Sequence, residues 1–321
     1  MNDIREEMKS FFTGYWGYMA VRAACKLNLF EAIADKPRNI AQIASSLHCL
    51  QGPLQTLLSA LQQMGMVHFS DEVYSLSPKS ELLTASHPHS LKYACLIWGE
   101  EQMSAWQNLD YSIKTGNSAF EKIYGLPFFD FLDQHRDKSA DYHKAMREYA
   151  RDDYARITEI VDFSRHKSLM DVGGGYGVLV QNIKRKNPDM VCYLFDLPQV
   201  INGSETDGIE IIGGDFFQGI PPVAEAMVLS RVIHDWEDEK ASQIIRNCYD
   251  SLPEGGIFYL IENFTDLMED DASILSLNML AICKSYERTV QQYQLLLIKA
   301  GFRIEEYLKL NQLQHILIAQ K

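Results

Sequence analysis

The chain has 321 residues, of which 46% are hydrophobic and 23% charged, and its formal net charge is -13. This composition is typical of a globular protein with room for two domains. The negative charge disfavours nucleic acid and anionic membranes as partners. The six cysteines stand far apart without a Cys-x-x-Cys pair. We therefore expect neither a metal site nor a disulfide framework.

The N-terminus gives no sign of export. Its first nine residues are charged throughout and have no apolar core, so they do not resemble a signal peptide. No apolar run approaches the ~20 residues that cross a bilayer. We expect a cytoplasmic protein.

The first domain is predicted over residues 1–95. Segment 11–34 carries aromatic and small apolar residues at helical spacing, and a helix apolar on more than one face must be covered. Helices at 39–44 and 53–64 and a hairpin at 66–76 follow, which outlines a winged helix. The 53–64 helix has no Lys or Arg, which argues against DNA binding. We expect this domain to pack on a second copy of the chain.

Residues 96–159 are predicted to be helical, with an interruption at 124–129. The segment is rich in aromatic and Met side chains, most of which belong in a core. A minority is suited to lining a pocket for a flat organic ligand. The candidates for that pocket are Trp98, Met103, Trp106, Phe128 and Met146.

At residues 169–179 a buried strand breaks into a glycine-rich turn that opens a helix. Glycines let a ligand approach the backbone, and the first amides of the helix face that ligand. Asp196 ends the next apolar run, 196 − 173 = 23 residues after Gly173. An acid at about this distance binds ribose hydroxyls in nucleotide-binding βαβ units. The turn by itself fits a nicotinamide, a flavin, an S-adenosyl ligand or a purely structural role.

Residues 160–321 alternate predicted strands and helices, which indicates an open α/β sheet. The seven predicted strands are 168–172, 191–196, 209–212, 226–230, 256–262, 302–308 and 314–319. The last two should pair as an antiparallel hairpin at one edge. Ligands bind at the carboxyl ends of such strands. The polar residues predicted at those ends are Asp196, Asp215, Ser230, Arg231, His234 and Glu262.

Five stretches carry a resemblance to a known family. They are DVGGGYG at 171–177, FDLP at 195–198, GGDFF at 213–217, VIHDW at 232–236, and ERT at 287–289 followed by AGF at 300–302. Together they resemble the class I S-adenosylmethionine-dependent methyltransferases, and among them the small-molecule O-methyltransferases of the caffeate, hydroxyindole and polyketide-tailoring kind. Their order and spacing are similar to the family's. The resemblance implies a Rossmann-like seven-stranded sheet in domain 96–321, a winged-helix-like N-terminal dimerisation domain, and a homodimer.

The resemblance also implies a site for S-adenosylmethionine. Gly173 and Gly175 would hold its methionine part and Asp196 its ribose hydroxyls, while Asp215 would bind the adenine amine under Phe216. The implied cofactor-binding residues are Gly173, Gly175, Asp196, Leu197, Asp215, Phe216, Ser230 and Arg231.

His234 falls where the family has its general base, and Glu262 and Glu287 fall on the two flanking carboxylates. A sulfonium methyl is already electrophilic, so the protein has mainly to orient the acceptor and remove its proton. Histidine suits that task, which is typically worth about 10²- to 10⁴-fold in rate. A nearby carboxylate fixes the tautomer and stabilises the imidazolium.

Two positions depart from the family pattern. Tyr176 stands where a small hydroxyl residue is frequent, and Ser230 stands where a Lys is frequent. Loss of that Lys removes a contact with the cofactor. Arg231 could replace the contact only if its side chain turns inward.

The sequence thus predicts methyl transfer to a hydroxyl of a small aromatic acceptor of the secondary-metabolite kind. N- or C-methylation, and S-adenosylmethionine-binding enzymes that hydroxylate or catalyse pericyclic reactions, are the alternatives on the same fold. Intact His234 and Glu287 argue against the non-methylating alternative. The His-Asp-Trp and Gly-Gly-Asp-Phe stretches disfavour a nicotinamide dehydrogenase.

Overall fold

The computed structural model describes residues 2–201, 207–267 and 272–321. The chain divides into two compact units, Met1–Glu101 and Gln102–Lys321. None of the helices in these ranges is long and apolar enough to span a membrane.

The first unit is helical, with one small hairpin. Its helices are α1 (Asn2–Thr13), α2 (Tyr15–Lys26), α3 (Leu29–Ala32), α4 (Ile40–Leu47), α5 (Gln51–Gln63), α6 (Pro78–Glu81) and α7 (Lys92–Ile97). Its strands β1 (Val67–Ser70) and β2 (Val73–Leu76) pair antiparallel. The helix, helix and hairpin order predicted for a winged helix is confirmed by α4, α5 and the β1–β2 pair.

The single helix expected over 11–34 is wrong, because the structure divides this segment into α1, α2 and α3. Gly14 separates α1 from α2, and Asn28 separates α2 from α3 because it adopts the left-handed conformation (φ 56), which an α-helix disfavours. Large apolar side chains on α1 and α2 remain exposed, Phe11 by 78% and Trp16 by 61%. The extra apolar face inferred from the sequence is therefore present, although on two helices.

The second unit contains the large sheet. Its helices are α8 (Glu101–Trp106, which begins in the first unit), α9 (Leu109–Thr115), α10 (Ala119–Tyr124), α11 (Phe128–Gln134), α12 (Arg136–Asp153), α13 (Ile157–Ile160), α14 (Val178–Lys186), α15 (Pro198–Ile201), α16 (Asp238–Ser251), α17 (Ala272–Cys283) and α18 (Val290–Ala300). Its strands are β3 (Ser168–Val172), β4 (Val191–Asp196), β5 (Ile209–Gly213), β6 (Ala226–Ser230), β7 (Ile257–Asn263), β8 (Arg303–Lys309) and β9 (Gln314–Gln320).

The seven strands lie in the order β5-β4-β3-β6-β7-β9-β8. The first five are parallel, β9 is antiparallel to β7, and the β8–β9 hairpin closes one edge. All seven predicted strands and the antiparallel hairpin are confirmed. The order reverses between β3 and β6, and such a switch point leaves a crevice at the carboxyl ends of the strands.

Alternate residues of the central strands line opposite faces of the sheet, as the two-residue period of a strand requires. Met170 and Val172 of β3 pack into the core on one face, and Leu169 packs into the core on the other. Because both faces are covered, these strands are largely apolar, with the buried Asp171 of β3 as an exception. Polar residues can therefore reach the crevice only where the strands end.

Helices α9, α10 and α11 have only six or seven residues each, whereas α12 is continuous over 18 residues. The sequence predicted one break in this segment, at 124–129. Gly116 and Gly125 take positive φ values of 71 and 74, and each ends a helix in a left-handed cap. The break at 124–129 is confirmed, and further breaks, among them those at Gly116 and His135, were missed.

Candidate active site

At each glycine of the turn after β3, either the backbone conformation or the lack of space favours glycine. Gly173, Gly175 and Gly177 have φ values of 68, 57 and 74, which side chains disfavour. A Cβ added to Gly174 would lie 2.6 Å from the Asp171 carboxyl group. A Cβ on Gly175 would meet nothing within 4 Å. The turn therefore packs tightly against its strand at Gly174 and has free space next to Gly175.

Asp196, at the end of β4, joins this turn to the next strand. Its Oδ2 accepts a hydrogen bond from the Gly175 amide at 2.8 Å, and its Oδ1 accepts one from the Leu197 amide at 2.7 Å. Removal from water raises the pKa of Asp196 to about 6, and the two amides oppose that shift. The structure thus brings together three residues singled out from the sequence.

Asp215 and Phe216 follow β5 on the same side of the sheet. Asp215 Oδ1 accepts a hydrogen bond from the Phe217 amide at 2.8 Å, which fixes the turn. The Phe216 ring lies edge-on to Trp236 at 6.2 Å. A Cβ added to Gly173 would lie 3.6 Å from the Phe216 ring. Phe216 therefore borders the glycine turn.

Ser230 and Arg231, at the end of β6, contact the end of α12. Ser230 Oγ and Tyr154 Oη share a hydrogen bond of 2.6 Å. Arg231 has a positive φ of 52 and donates from Nη1 to Asp153 Oδ2 at 3.1 Å. Its buried Nε has no partner among the described residues. Arg231 is thus turned toward α12, with one donor still unused.

Tyr176, the other departure from the family pattern, faces α12 as well. Its ring centre lies 5.8 Å from that of His143. Burial lowers the pKa of His143 to about 4, so the imidazole beside Tyr176 is neutral at physiological pH.

His234 lies on a short 3-10 turn, Ile233–Asp235, just beyond β6. Its Nδ1 donates to Glu287 Oε1 at 2.8 Å, and the same oxygen accepts a hydrogen bond from Asn263 Nδ2 at 2.9 Å. His234 and Glu287 are buried, with 5% and 4% exposure. Because Nδ1 is occupied, the other ring nitrogen, Nε2, is the one that can exchange a proton.

Glu262 holds the backbone of this turn. Its Oε1 accepts hydrogen bonds from the amides of Val232 at 3.0 Å and Ile233 at 2.7 Å. Its Oε2 lies 3.8 Å from His234 Nδ1 and has no hydrogen-bond partner in the described ranges. Glu262 therefore positions the turn and adds negative charge near the imidazole.

Two further side chains fix the carbonyl groups of the turn. The buried Arg288 donates from Nη1 to the Ile233 carbonyl at 3.1 Å and from Nη2 to the Trp236 carbonyl at 2.8 Å. The Ser285 hydroxyl donates to the His234 carbonyl. The imidazole is thus held on a backbone whose amides and carbonyls are both bound, and such rigidity suits a catalytic group.

The charges of the cluster shift one another's pKa values. Burial alone would lower the pKa of His234, but Glu287, Glu262 and Asp235 outweigh it and raise that pKa to about 10. Burial raises the pKa of Glu262 to about 7, although His234 opposes the shift. Burial opposes ionisation of Glu287 too, but the positive charge and hydrogen bond of His234 hold its pKa below the usual value.

One ligand atom each from His234, Glu262 and Glu287 lies within 4.8 Å of the others, so the three could in principle hold a metal ion. The Nδ1 of His234 is already bonded to Glu287, however, and Oε1 of Glu262 is taken by two amides. The arrangement is that of an imidazole oriented by one carboxylate, with a second carboxylate nearby, which is suited to proton transfer.

Aromatic side chains form one wall near this turn. Phe128 packs on Phe129 at 5.3 Å and on Tyr142 at 5.1 Å between ring centres, and Phe129 stacks on Trp236 at 5.4 Å. The wall thus adjoins Trp236, two residues beyond His234. Trp106 Nε1 donates to Asn278 Oδ1 at 2.9 Å, which ties α8 to α17.

The other pocket candidates stand apart from these contacts. Met103 and Met146 are half-buried on α8 and α12. Trp98 caps the end of α7 and belongs to the first unit.

Sequence reasoning missed three side chains of the site. Asn263 was signalled only by its place beside Glu262 at the end of β7. Ser285 and Arg288 flank Glu287 in the chain, and their proximity to the His234 turn follows from the fold alone.

The glycine turn at the switch point, in a sheet whose edge is an antiparallel hairpin, defines a class I methyltransferase fold. Within that class, a family model described as the O-methyltransferase domain matches residues 106–303, and one described as the O-methyltransferase dimerisation domain matches residues 10–86. The first match covers more than half of the chain. The chain belongs to the O-methyltransferase family and is an S-adenosylmethionine-dependent methyltransferase.

Two curated relatives are similar over most of their length. Phenazine O-methyltransferase from Lysobacter antibioticus is 29% identical over 92% of this chain and 90% of its own. The 3-amino-4-hydroxybenzoate 4-O-methyltransferase of Streptomyces cremeus is 31% identical over 95% of this chain and 87% of its own. The solved structure of LaPhzM is 28% identical, with a TM-score of 0.92 over 99% of both chains.

Proposed function

We propose that this enzyme transfers the methyl group of S-adenosylmethionine to a hydroxyl group of a small aromatic acceptor, with His234 as the general base. The observation that carries the proposal is the His234–Glu287 hydrogen bond of 2.8 Å, which leaves Nε2 available for the acceptor's proton. The names of the two curated relatives, one acting on a phenazine and one on a hydroxybenzoate, support an aromatic acceptor.

The residues at the switch point fit the cofactor. Gly175 has open space where a side chain would stand, and Asp196 beside it offers a carboxylate to ribose hydroxyls. Asp215 and Phe216 follow the next strand, β5, and would bind the adenine ring there. The unused Nε of Arg231 points to a contact with the carboxylate of the methionine part, in place of the family Lys. Gly173 and Leu197 complete the backbone of this site.

The cofactor supplies a methyl carbon bonded to a positively charged sulfur. His234 Nε2 accepts the hydroxyl proton of the acceptor, and Glu287 stabilises the resulting imidazolium through Nδ1. Glu262 and Arg288 hold the turn so that the ring keeps its orientation. The aromatic wall at Phe128 and Tyr142 orients a flat acceptor and excludes water.

We also propose that the enzyme is a homodimer formed through the first unit. The dimerisation-domain match and the exposure of Phe11 and Trp16 support this. Light scattering of the wild type and of Trp16→Glu tests it. We expect a dimer that the charged residue weakens, and a monomeric wild type at micromolar concentration would contradict the proposal.

The activity is tested by incubating the protein with S-adenosylmethionine and a panel of phenols, anilines and phenazines, followed by mass spectrometry. We expect products heavier by one methyl group on oxygen, and S-adenosylhomocysteine in equal amount. A product that gains an oxygen atom, with the cofactor unconsumed, would support the hydroxylase alternative. Methylation confined to anilines would indicate N-methylation.

A further inference from the structure

Two cysteines that are far apart in the chain, Cys25 and Cys95, meet inside the first unit. Cys25 lies on α2 and Cys95 on α7, 70 positions apart, and the Cys25 thiol donates to Cys95 Sγ at 3.8 Å. At this distance the two sulfur atoms are in contact. Both residues are free thiols in the structure. Their spacing in the sequence does not reveal the pair, because the packing of α2 on α7 creates it.

We propose that Cys25 and Cys95 form a reversible disulfide bond when the enzyme is exposed to a peroxide, and that this bond joins α2 to α7 and stabilises the first unit. The two cysteines belong to the first unit, whereas His234 belongs to the second. The inference is therefore independent of the acceptor and of the methyl transfer reaction.

The contacts between the two helices keep the sulfur atoms together. Tyr18 of α2 donates its hydroxyl to the Cys95 carbonyl at 2.8 Å, and Arg22 of α2 donates from Nε to the Leu96 carbonyl at 3.1 Å. Arg22 also pairs with Glu100 at 2.8 Å. A disulfide requires about 2.05 Å between the sulfurs. They must therefore approach by less than 2 Å, a movement of the size that side-chain rotation gives.

The two thiols differ in their access to solvent, and this difference sets the order of reaction. Cys25 is completely buried, whereas Cys95 is half-buried, so a peroxide reaches Cys95 first. The hydrogen bond to Cys95 raises the pKa of Cys25 well above its ordinary value, and burial adds to that shift. Cys25 therefore stays protonated while Cys95 is reduced, and a protonated thiol is a poor nucleophile.

The reaction takes two steps, and each releases one water molecule. Cys95 Sγ attacks one oxygen of hydrogen peroxide, the O–O bond breaks, and the thiol proton leaves with the other oxygen as water. Cys95 is then a sulfenic acid. In the second step Cys25 Sγ attacks Cys95 Sγ, the S–O bond breaks, and the hydroxide leaves with the proton of Cys25. The peroxide thus takes up the two electrons that the two thiols lose.

Oxidation of Cys95 makes Cys25 more reactive. The negative charge of Cys95 is one cause of the raised pKa of Cys25, and an uncharged sulfenic acid removes it. The buried Lys92, one helical turn before Cys95, lowers that pKa, although Glu31 opposes it. Lys92 is held in place by a hydrogen bond to Asn28 Oδ1 at 2.8 Å. Cys25 therefore becomes the attacking thiol after Cys95 has been oxidised.

The first test uses the wild-type enzyme treated with hydrogen peroxide, with the remaining thiols alkylated before digestion. Trypsin releases Cys25 in the peptide 23–26 and Cys95 in the peptide 93–114. We expect these two peptides to be joined, with the loss of two hydrogen atoms, and to separate on treatment with dithiothreitol. On a non-reducing gel the oxidised protein should run at the mass of one chain. Peptides that remain unlinked, or a band at twice that mass, would overturn the inference.

The second test compares Cys25→Ser and Cys95→Ser with Cys49→Ser, a matched control because Cys49 is also half-buried in the first unit. In Cys25→Ser we expect dimedone to trap the sulfenic acid of Cys95. In Cys95→Ser we expect Cys25 to remain a thiol, and in Cys49→Ser the joined peptides should form as in the wild type.

Thermal melts then measure the effect on stability. A bond that closes a loop of about 70 residues restricts the unfolded chain. We expect oxidation to raise the melting temperature of the wild type and of Cys49→Ser by about 5 °C or more, and to leave that of Cys95→Ser unchanged. An unchanged melting temperature in fully cross-linked wild type would overturn the stabilising role. The peptide analysis and this melt need only the wild type, so they decide the matter even where a variant folds poorly.

Discussion

Replacement of His234 separates catalysis from cofactor binding. In His234→Gln the side chain can still donate a hydrogen bond to Glu287, but it cannot take up the acceptor's proton. We expect kcat to fall by about 10²-fold or more, the range for loss of a positioned general base. The affinity for S-adenosylmethionine should change little, because Gly175 and Asp196 lie at the ends of other strands.

The same change should make stability depend on pH in a new way. Without the imidazolium, Glu287 keeps hydrogen bonds from Asn263 and from the substituted amide, but it becomes a buried charge with no cation bonded to it. Breaking a buried pair in this way costs about 3–5 kcal/mol. Burial then raises the pKa of Glu287 above its value in the unfolded chain. A raised carboxyl pKa favours the folded protein at acid pH and destabilises it as the pH rises.

The assays are single-turnover kinetics, calorimetric titration with S-adenosylhomocysteine, and thermal melts between pH 5 and 8. Glu239→Gln, on an exposed face, is the control for all three. We expect a slow variant that binds normally and whose deficit in melting temperature grows with pH. Normal turnover in His234→Gln would refute the assignment of the base, since the acceptor would then need none.

Three other changes test neighbouring parts of the site. Asp196→Asn should weaken S-adenosylhomocysteine at least tenfold by calorimetry, and wild-type affinity should fall as the pH drops through about 6, where Asp196 takes up a proton. The methylation rate of the wild type should rise with pH above neutrality, because the neighbouring carboxylates raise the pKa of His234 to about 10. Glu287→Gln should shift that rise to lower pH and reduce kcat. Gly174→Ala should lower the melting temperature, because the added Cβ would lie 2.6 Å from a carboxyl group. Gly14→Ala is the control and should leave the melting temperature unchanged, because the atom nearest to its added Cβ would be 3.5 Å away.

The central strands β6 and β7 were predictable because each is a largely apolar run bounded by turn residues. Strand β7 was expected at 256–262 and is observed at Ile257–Asn263. Such runs are buried on both faces, so burial and local sequence favour the same structure. The N-terminal helices were harder, because the left-handed residue that separates α2 from α3 is Asn28 and not a glycine.

From the sequence, the site residues could be predicted only where they lie at strand ends or within the recognised motifs. The resemblance placed His234, Glu262 and Glu287 near one another, and the structure places them in one cluster. The sequence did not reveal that Glu262 binds the amides of Val232 and Ile233, about 30 residues earlier in the chain. That contact depends on the pairing of β6 with β7, which brings two chain segments to the same edge.

Two buried carboxylates beside one imidazole would normally destabilise a protein, and the contacts explain why this cluster is tolerated. The imidazolium neutralises Glu287, and one carboxylate oxygen of Glu262 accepts hydrogen bonds from two backbone amides. The pKa of Glu262, raised to about 7 by burial, lets it carry a proton for part of the time at neutral pH, which lowers the net negative charge of the cluster. In the fraction of the enzyme whose imidazole is neutral, which is the form that can act as a base, a proton taken up by His234 enters a group of three coupled sites. Because each site can share it, the imidazolium formed during catalysis is stabilised by the same carboxylates that hold the ring in place.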